Sequence, residues 1–252
     1  MVSNGRVLIT RPQGQTGGLV NFLESRGFTA VLQPLIEIIP IGKIDDNQRK
    51  ILLSLDKYSH IIFVSTNGVR FGMPKIERFW PQLPTGLNWH AIGSTTADAL
   101  KQFSINTVSP SGAMNSEALL ALLSLQQVVD DQVLIVRGEG GRTLIAEELQ
   151  RRGAIVSSLK VYHRKQPKNL GFILANVFAE GVDAILISSG EALTNLVNLT
   201  QGSEMDFWAD RVFSMPLIVP GARVSALAVE LGFSHIVEAK NATDAAMTKM
   251  LF

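Results

Sequence analysis

The apolar positions of this chain gather in short, nearly unbroken runs. Val7 to Thr10, Ile61 to Val64, His90 to Ile92 and Val133 to Val136 are each of strand length. Apolar runs without polar alternation predict strands covered on both faces, as in a parallel sheet. Between them the spacing turns helical, with Leu19, Val20 and Leu23 in one segment and Leu144, Ile145 and Leu149 in another. Gly27 and Gly153 stand where such helices take a left-handed cap residue. Alternating strands and helices predict an α/β fold built from doubly wound parallel sheets.

The pattern occurs twice. "VLITRPQGQTGGLVNFLESRGF" at 7–28 and "LIVRGEGGRTLIAEELQRRGA" at 134–154 share one offset at Arg11 and Arg137, at Ile9 and Ile135, and at Gly27 and Gly153. "IIFVSTNGV" (61–69) matches "AILISSGEA" (184–192), with Ser65 over Ser188, and "AIGSTTADAL" (91–100) matches "IVPGARVSAL" (218–227). Two similar domains follow, but repetition alone leaves their boundaries open. Residues 29–41 and 155–164 are long for single strands, and Pro34 and Pro40 break the first. If both segments cross between domains, residues 40–163 form an inserted domain; otherwise tandem halves divide near residue 129.

Composition narrows the function. Lys plus Arg number 23 against 22 for Asp plus Glu, a net charge of +1, which argues against a general nucleic-acid binder. No apolar run approaches a membrane span, and the amino end carries no signal-peptide core, so a cytoplasmic protein is expected. Cysteine is absent, which removes thiol catalysis and cysteine-held metals.

Ligands of parallel-sheet domains bind at the carboxyl ends of the strands. Those positions hold Thr10-Arg11-Pro12, Ser65-Thr66-Asn67-Gly68, Gly93-Ser94-Thr95-Thr96, Arg137-Gly138-Glu139-Gly140-Gly141-Arg142, Ser188-Ser189-Gly190 and Pro220-Gly221-Ala222-Arg223. They supply donors and cations with few general acids or bases, which suits a large anion. No dinucleotide fingerprint, phosphate-binding loop or nucleophile elbow is present. The histidines His60, His90, His163 and His235 show no zinc spacing and read as strand-edge or surface residues. Taken singly, the glycines read as turn residues, Ser65 and Ser188 as helix caps, and Tyr162 as a half-buried crossover residue.

The ordered set "VLITRP", "FVSTNGVRF", "AIGSTTADAL", "LIVRGEGGRTLIAEELQRRGA", "LKVYHR", "ISSGEAL" and "ALAVELGFSHIVEAKNATDAAM" resembles the bacterial uroporphyrinogen III synthase family across essentially the whole chain. The resemblance implies two domains joined by a two-stranded hinge, 1–37 with 166–252 and 40–163, with a substrate cleft between them. It implies an enzyme of tetrapyrrole (heme) synthesis, a lyase that needs no metal or organic cofactor. Its substrate is hydroxymethylbilane, closed to uroporphyrinogen III with loss of water and inversion of the last ring. It further implies a monomer, without nucleic acid or membrane partners, in transient contact with the preceding hydroxymethylbilane synthase.

By the same resemblance, the family's tyrosine falls on Tyr162, as proton donor to the departing hydroxyl; a phenol stays protonated at neutral pH. Substrate contacts fall on Arg11, Ser65, Thr96, Arg137, Gly138, Gly140, Gly141, Arg142, Ser188 and Ser189. The substrate carries an acetate and a propionate on each of its four rings. Charge-assisted hydrogen bonds of roughly 1.5–3 kcal/mol each would let a near-neutral protein bind it. The second half departs from the threonine-bearing turn, with Ala222 and Arg223 replacing a hydroxyl by a cation. The rival reading is a non-catalytic, hinge-closing binder of small anions.

Overall fold

In a computed structural model, described for residues 5–111, 114–140 and 143–251, strands and helices alternate along the chain. The first stretch contains β1 (Arg6–Ile9), α1 (Gly17–Ser25), β2 (Thr29–Leu32), β3 (Glu37–Pro40) and α2 (Asp46–Leu53). Next come β4 (His60–Phe63), α3 (Thr66–Phe79), β5 (Asn88–Ala91), α4 (Ser94–Lys101) and α5 (Ser116–Leu120). The middle holds β6 (Gln132–Gly138), α6 (Leu144–Arg151), β7 (Ile155–Lys165) and α7 (Leu170–Ala179). The last stretch holds β8 (Ala184–Leu186), α8 (Gly190–Thr200), α9 (Ala209–Ser214), β9 (Leu217–Pro220), α10 (Ala222–Glu230), β10 (Ile236–Ala239) and α11 (Asp244–Thr248).

The strands form two five-stranded sheets, ordered β10-β9-β8-β1-β2 and β3-β7-β6-β4-β5. All pairings of the first sheet are parallel, as are β5–β4, β4–β6 and β6–β7 in the second. Compact unit 1 runs up to Glu37 and resumes at Lys165, and unit 2 is Ile38–Arg164. Residues 29–41 are two strands, not one. Pro34 lies in the break between them, β2 joins the sheet of unit 1, and β3 lies beside β7. Residues 155–165 instead run as one unbroken strand. β1 and β4, which tandem halves would put in one sheet, lie in different sheets.

The repeat is visible in space. Ile9 and Ile135 share the repeat offset, so β6 takes the place of β1, β4 that of β8, β5 that of β9 and β7 that of β2. The chain enters the two sheets at different points, and each sheet adds a fifth strand of its own, β10 beside β9 in one and β3 beside β7 in the other. In unit 2 both faces of the sheet are buried, which explains the unbroken apolar runs. Ile61 and Phe63 of β4 pack with Val69 and Met73 of α3, while Ile62 packs with Leu119 of α5 and Leu149 of α6. No helix among the described residues is long and apolar enough to cross a membrane.

His60 and His90 are neither surface residues nor apart. Both are buried, and His60 Nδ1 lies 3.0 Å from His90 Nε2 across the β4–β5 pair. His60 Nε2 lies 3.3 Å from an oxygen of Asp131, whose other oxygen accepts from the Ser59 hydroxyl at 3.0 Å. With both rings neutral, Asp131 accepts from His60 and His60 accepts from His90. This leaves His90 Nδ1 buried without a partner. Burial first, and then the neighbouring His60, lowers the His90 pKa to about 4. A folded-state value below the unfolded value, near 6.5, gives stability that is complete above that pH and lost as pH falls toward 4. Unfolding free energy should therefore drop by roughly 2 kcal/mol between pH 7 and 5 from this residue alone. Urea titrations of wild type and His90→Gln at the two pH values check this: the variant should show the shallower loss, and parallel profiles would refute it.

Candidate functional site

Parallel strands deliver their turns to one edge, so residues distant in sequence meet there. In unit 2, Ser65 follows β4 in extended conformation and caps α3, its Oγ accepting the Gly68 N–H at 3.0 Å. Tyr162 lies within β7. The β6–β7 register sets Arg137 opposite Lys160 and then Gly138 opposite Tyr162, so Val161 is an extra, bulged residue. The Tyr162 side chain is more enclosed than the half-buried position expected: the residue is 4% exposed, in the core cluster of Phe63, Val136 and Val161. Its hydroxyl emerges at the Ser65 turn, 3.0 Å from Ser65 Oγ.

The turn after β6 is bound to the same place. Arg137 and Gly138 belong to the strand, not to the glycine turn that the sequence suggested. Arg137 Nη2 donates to the Gly140 carbonyl at 2.6 Å, and Nε donates to that of Gly138 at 3.3 Å. Gly140 has φ +74°, which a side chain would strain. Glu139 N–H donates to the Tyr162 carbonyl at 2.8 Å, and its carboxylate lies 2.5 Å from His163 Nδ1. Burial and then the Arg164 cation lower the Arg137 pKa, with Tyr162 acting in the opposite sense. Two cations and a phenol thus lie within electrostatic reach of one another. Gly141 and Arg142 lie outside the described residues.

A family model described as uroporphyrinogen-III synthase HemD matches residues 18–249. The chain is 34% identical over 247 residues to the uroporphyrinogen-III synthase of Salmonella typhimurium, covering 97% of this chain and 99% of that protein. It is 33% identical over 250 residues to that of Escherichia coli, with the same coverage. The chain belongs to the uroporphyrinogen-III synthase family. Its fold matches a crystal structure of mutant uroporphyrinogen III synthase from the extremely thermophilic bacterium Thermus thermophilus, with TM-score 0.67 at 19% identity, over 97% of this chain and 96% of the other.

Within this family fold, the repeat aligns differently in space than by letters. Ile62 pairs with Ile135 and Leu186 with Ile9, so Leu186 stands where Ile62 does. Ser189, not Ser188, is then the counterpart of Ser65, and it caps α8 by accepting the Ala192 N–H at 3.2 Å. By the same register His90 corresponds to Ile218, Gly93 to Gly221 and Thr96 to Val224. Thr96 and Val224 are each 2% exposed, so this position packs against the core whichever residue fills it. Arg223 reaches the first turn of α8, with Nη1 3.5 Å from where a β-carbon on Gly190 would stand. Sequence reading noted Arg223 as a cation in place of a hydroxyl and His163 as a strand-edge or surface residue, and gave no site role to Arg223, Arg164, Glu139 or His163. For the last three the available signal was a cluster of charge flanking Tyr162 and Gly138.

Arg11 is occupied within unit 1. Its guanidinium pairs with Asp244 and donates to the Ala242 carbonyl, and its side chain is 9% exposed. It ties the end of β1 to the segment leading into α11. Arg11→Met should therefore lower stability by about 2 kcal/mol, the scale of a hydrogen bond to a charged group. Thermal melting and steady-state kinetics check this: the melting point should fall while KM stays unchanged. A raised KM with unaltered melting would return Arg11 to substrate binding.

Proposed function

We propose that the chain is a cyclising hydro-lyase that converts hydroxymethylbilane to uroporphyrinogen III, with Tyr162 as proton donor. Family membership supports the reaction, and the Tyr162–Ser65 hydrogen bond carries the assignment of the donor. Ser65 Oγ already accepts from Gly68, which leaves its own proton free to be donated to the phenol oxygen. The phenol proton is then available to the bilane's terminal hydroxyl, which departs as water. The phenolate that forms is stabilised by the Ser65 O–H, by the amino end of α3 and by the nearby Arg137 cation.

Loss of water leaves an azafulvene cation, delocalised over its pyrrole ring. The last ring attacks through its substituted carbon to give a spiro intermediate, whose rearrangement inverts that ring before closure. The pyrrole carbon that forms the final bond loses a proton, which restores the phenol, so the net change is one water lost. Binding rests on the substrate's acetates and propionates. In unit 2 the grip is assigned to Arg137, Arg164 and the N–H groups around Gly140, and by the family resemblance also to Gly141 and Arg142. In unit 1 it is assigned to Ser188, to the capped amino end of α8 at Ser189 and to Arg223. Thr96 supports its turn from within.

Two variants test these roles. Tyr162→Phe should fold normally and lose turnover by about 10²–10⁴, the usual range for general acid catalysis. Released bilane would then close by itself, so product analysis should show the type I isomer accumulating. Full turnover to the type III isomer alone would refute the assignment. Arg137→Ala should raise KM more than it lowers kcat, because carboxylate binding is nearly uniform between ground and transition states. An unchanged KM with a lower melting point would give Arg137 a purely structural role.

A further inference from the structure

We infer that Gly138 is a positioning residue: its missing side chain is the seat on which the Tyr162 ring lies to reach Ser65. The inference rests on Tyr162 being the proton donor, and it concerns what holds that donor in place. Tyr162 belongs to β7 and Ser65 follows β4, yet β6 runs between those strands. Neighbouring strands lie about 4.8 Å apart, so the phenol reaches Ser65 only by lying across β6. It crosses at Gly138. A β-carbon there would stand 2.4 Å from Tyr162 Cε2 and 2.6 Å from Cζ, closer than real β-carbons come to any atom, and 3.0 Å from Cδ2.

Two further features fix the crossing. The bulge at Val161 sets Tyr162, not its predecessor, opposite Gly138. Above the sheet, Gly68 and Gly72 bring α3 close down: their β-carbons would meet the Val136 carbonyl oxygen at 3.2 Å and Val136 Cγ1 at 2.7 Å. Phe71 of the same helix lies beside the ring, with centroids 6.2 Å apart, so the helix limits how far the ring can lift to clear a side chain on Gly138. The other sheet supplies a natural comparison. There the repeat places Pro12 where Gly138 stands, and both tyrosines of the chain, Tyr58 and Tyr162, belong to unit 2. Where no phenol must cross, the glycine is absent.

The test is Gly138→Ala in the full chain, read by kinetics and by the ring resonances of isotope-labelled tyrosine. The chain has only two tyrosines, and the Tyr162 signal is identified by its loss in Tyr162→Phe. Gly138→Ala should shift that signal, cut turnover about as much as Tyr162→Phe and leave KM within a few-fold of wild type. In a Tyr162→Ala background, where no ring remains to displace, adding Gly138→Ala should cost no further turnover. If Gly138→Ala alone fails to fold, the double variant should fold, because the ring it clashed with is gone. Wild-type turnover with an unmoved resonance overturns the inference, as does a double variant that stays unfolded or loses turnover beyond Tyr162→Ala. Full turnover in Tyr162→Phe would instead remove the proton-donor reading, and the resonance shift alone would then decide whether Gly138 seats the ring.

Discussion

A parallel sheet buried on both faces confines its polar chemistry to the strand ends. Apolar side chains fill the faces, and every strand delivers its carboxyl end to the same edge, where the next helix begins with unpaired N–H groups. In this chain the constraint acts twice, on the parallel strands β10-β9-β8-β1-β2 of one sheet and β7-β6-β4-β5 of the other. It explains why the apolar runs are uninterrupted and why the caps are serine and glycine. It also explains why a tyrosine and a serine far apart in sequence share a hydrogen bond. Their strands are held in register by backbone pairing that neither side chain influences.

The strands, helices and their repetition were legible because burial on both faces and helical spacing leave strong local marks. The glycine caps at Gly27 and Gly153 were legible for the same reason, and both have positive φ. The pairing of strands was not, since parallel partners are joined by crossovers and nothing local distinguishes tandem from interleaved halves. The one-residue slip between Ser188 and Ser189 has a similar origin. Letters were matched by chemistry, whereas the structural register is set by Leu186 against Ile9 and Ile62 against Ile135.

Individual side chains were the hardest to read. Arg11 and Arg137 repeat in sequence, yet Arg11 is consumed by Asp244 and the Ala242 carbonyl while Arg137 wraps the turn beside Tyr162. The difference comes from α11, whose approach to β1 leaves no local signal near residue 11. Gly138 read as a turn glycine because glycine-rich turns are common after strands. Its place inside β6 depends on a bulge in a different strand. His60 and His90 looked like isolated singlets until β4 and β5 were paired.

The two edges have diverged around a shared frame. Both keep a capping serine, Ser65 or Ser189, and a glycine before the following helix, Gly93 or Gly221. Only unit 2 adds a phenol to its serine, so it is assigned the proton-transfer chemistry, while the hydroxyls, N–H groups and cation at the edge of unit 1 are assigned to binding. In the proposed reaction Ser65 and Tyr162 act as one proton-donating pair. A double-mutant cycle on kcat with Ser65→Ala and Tyr162→Phe measures the coupling between them. Coupling predicts that the double variant is scarcely slower than Tyr162→Phe alone, because the serine has no phenol left to assist. Losses that multiply as if the two sites were independent would contradict it.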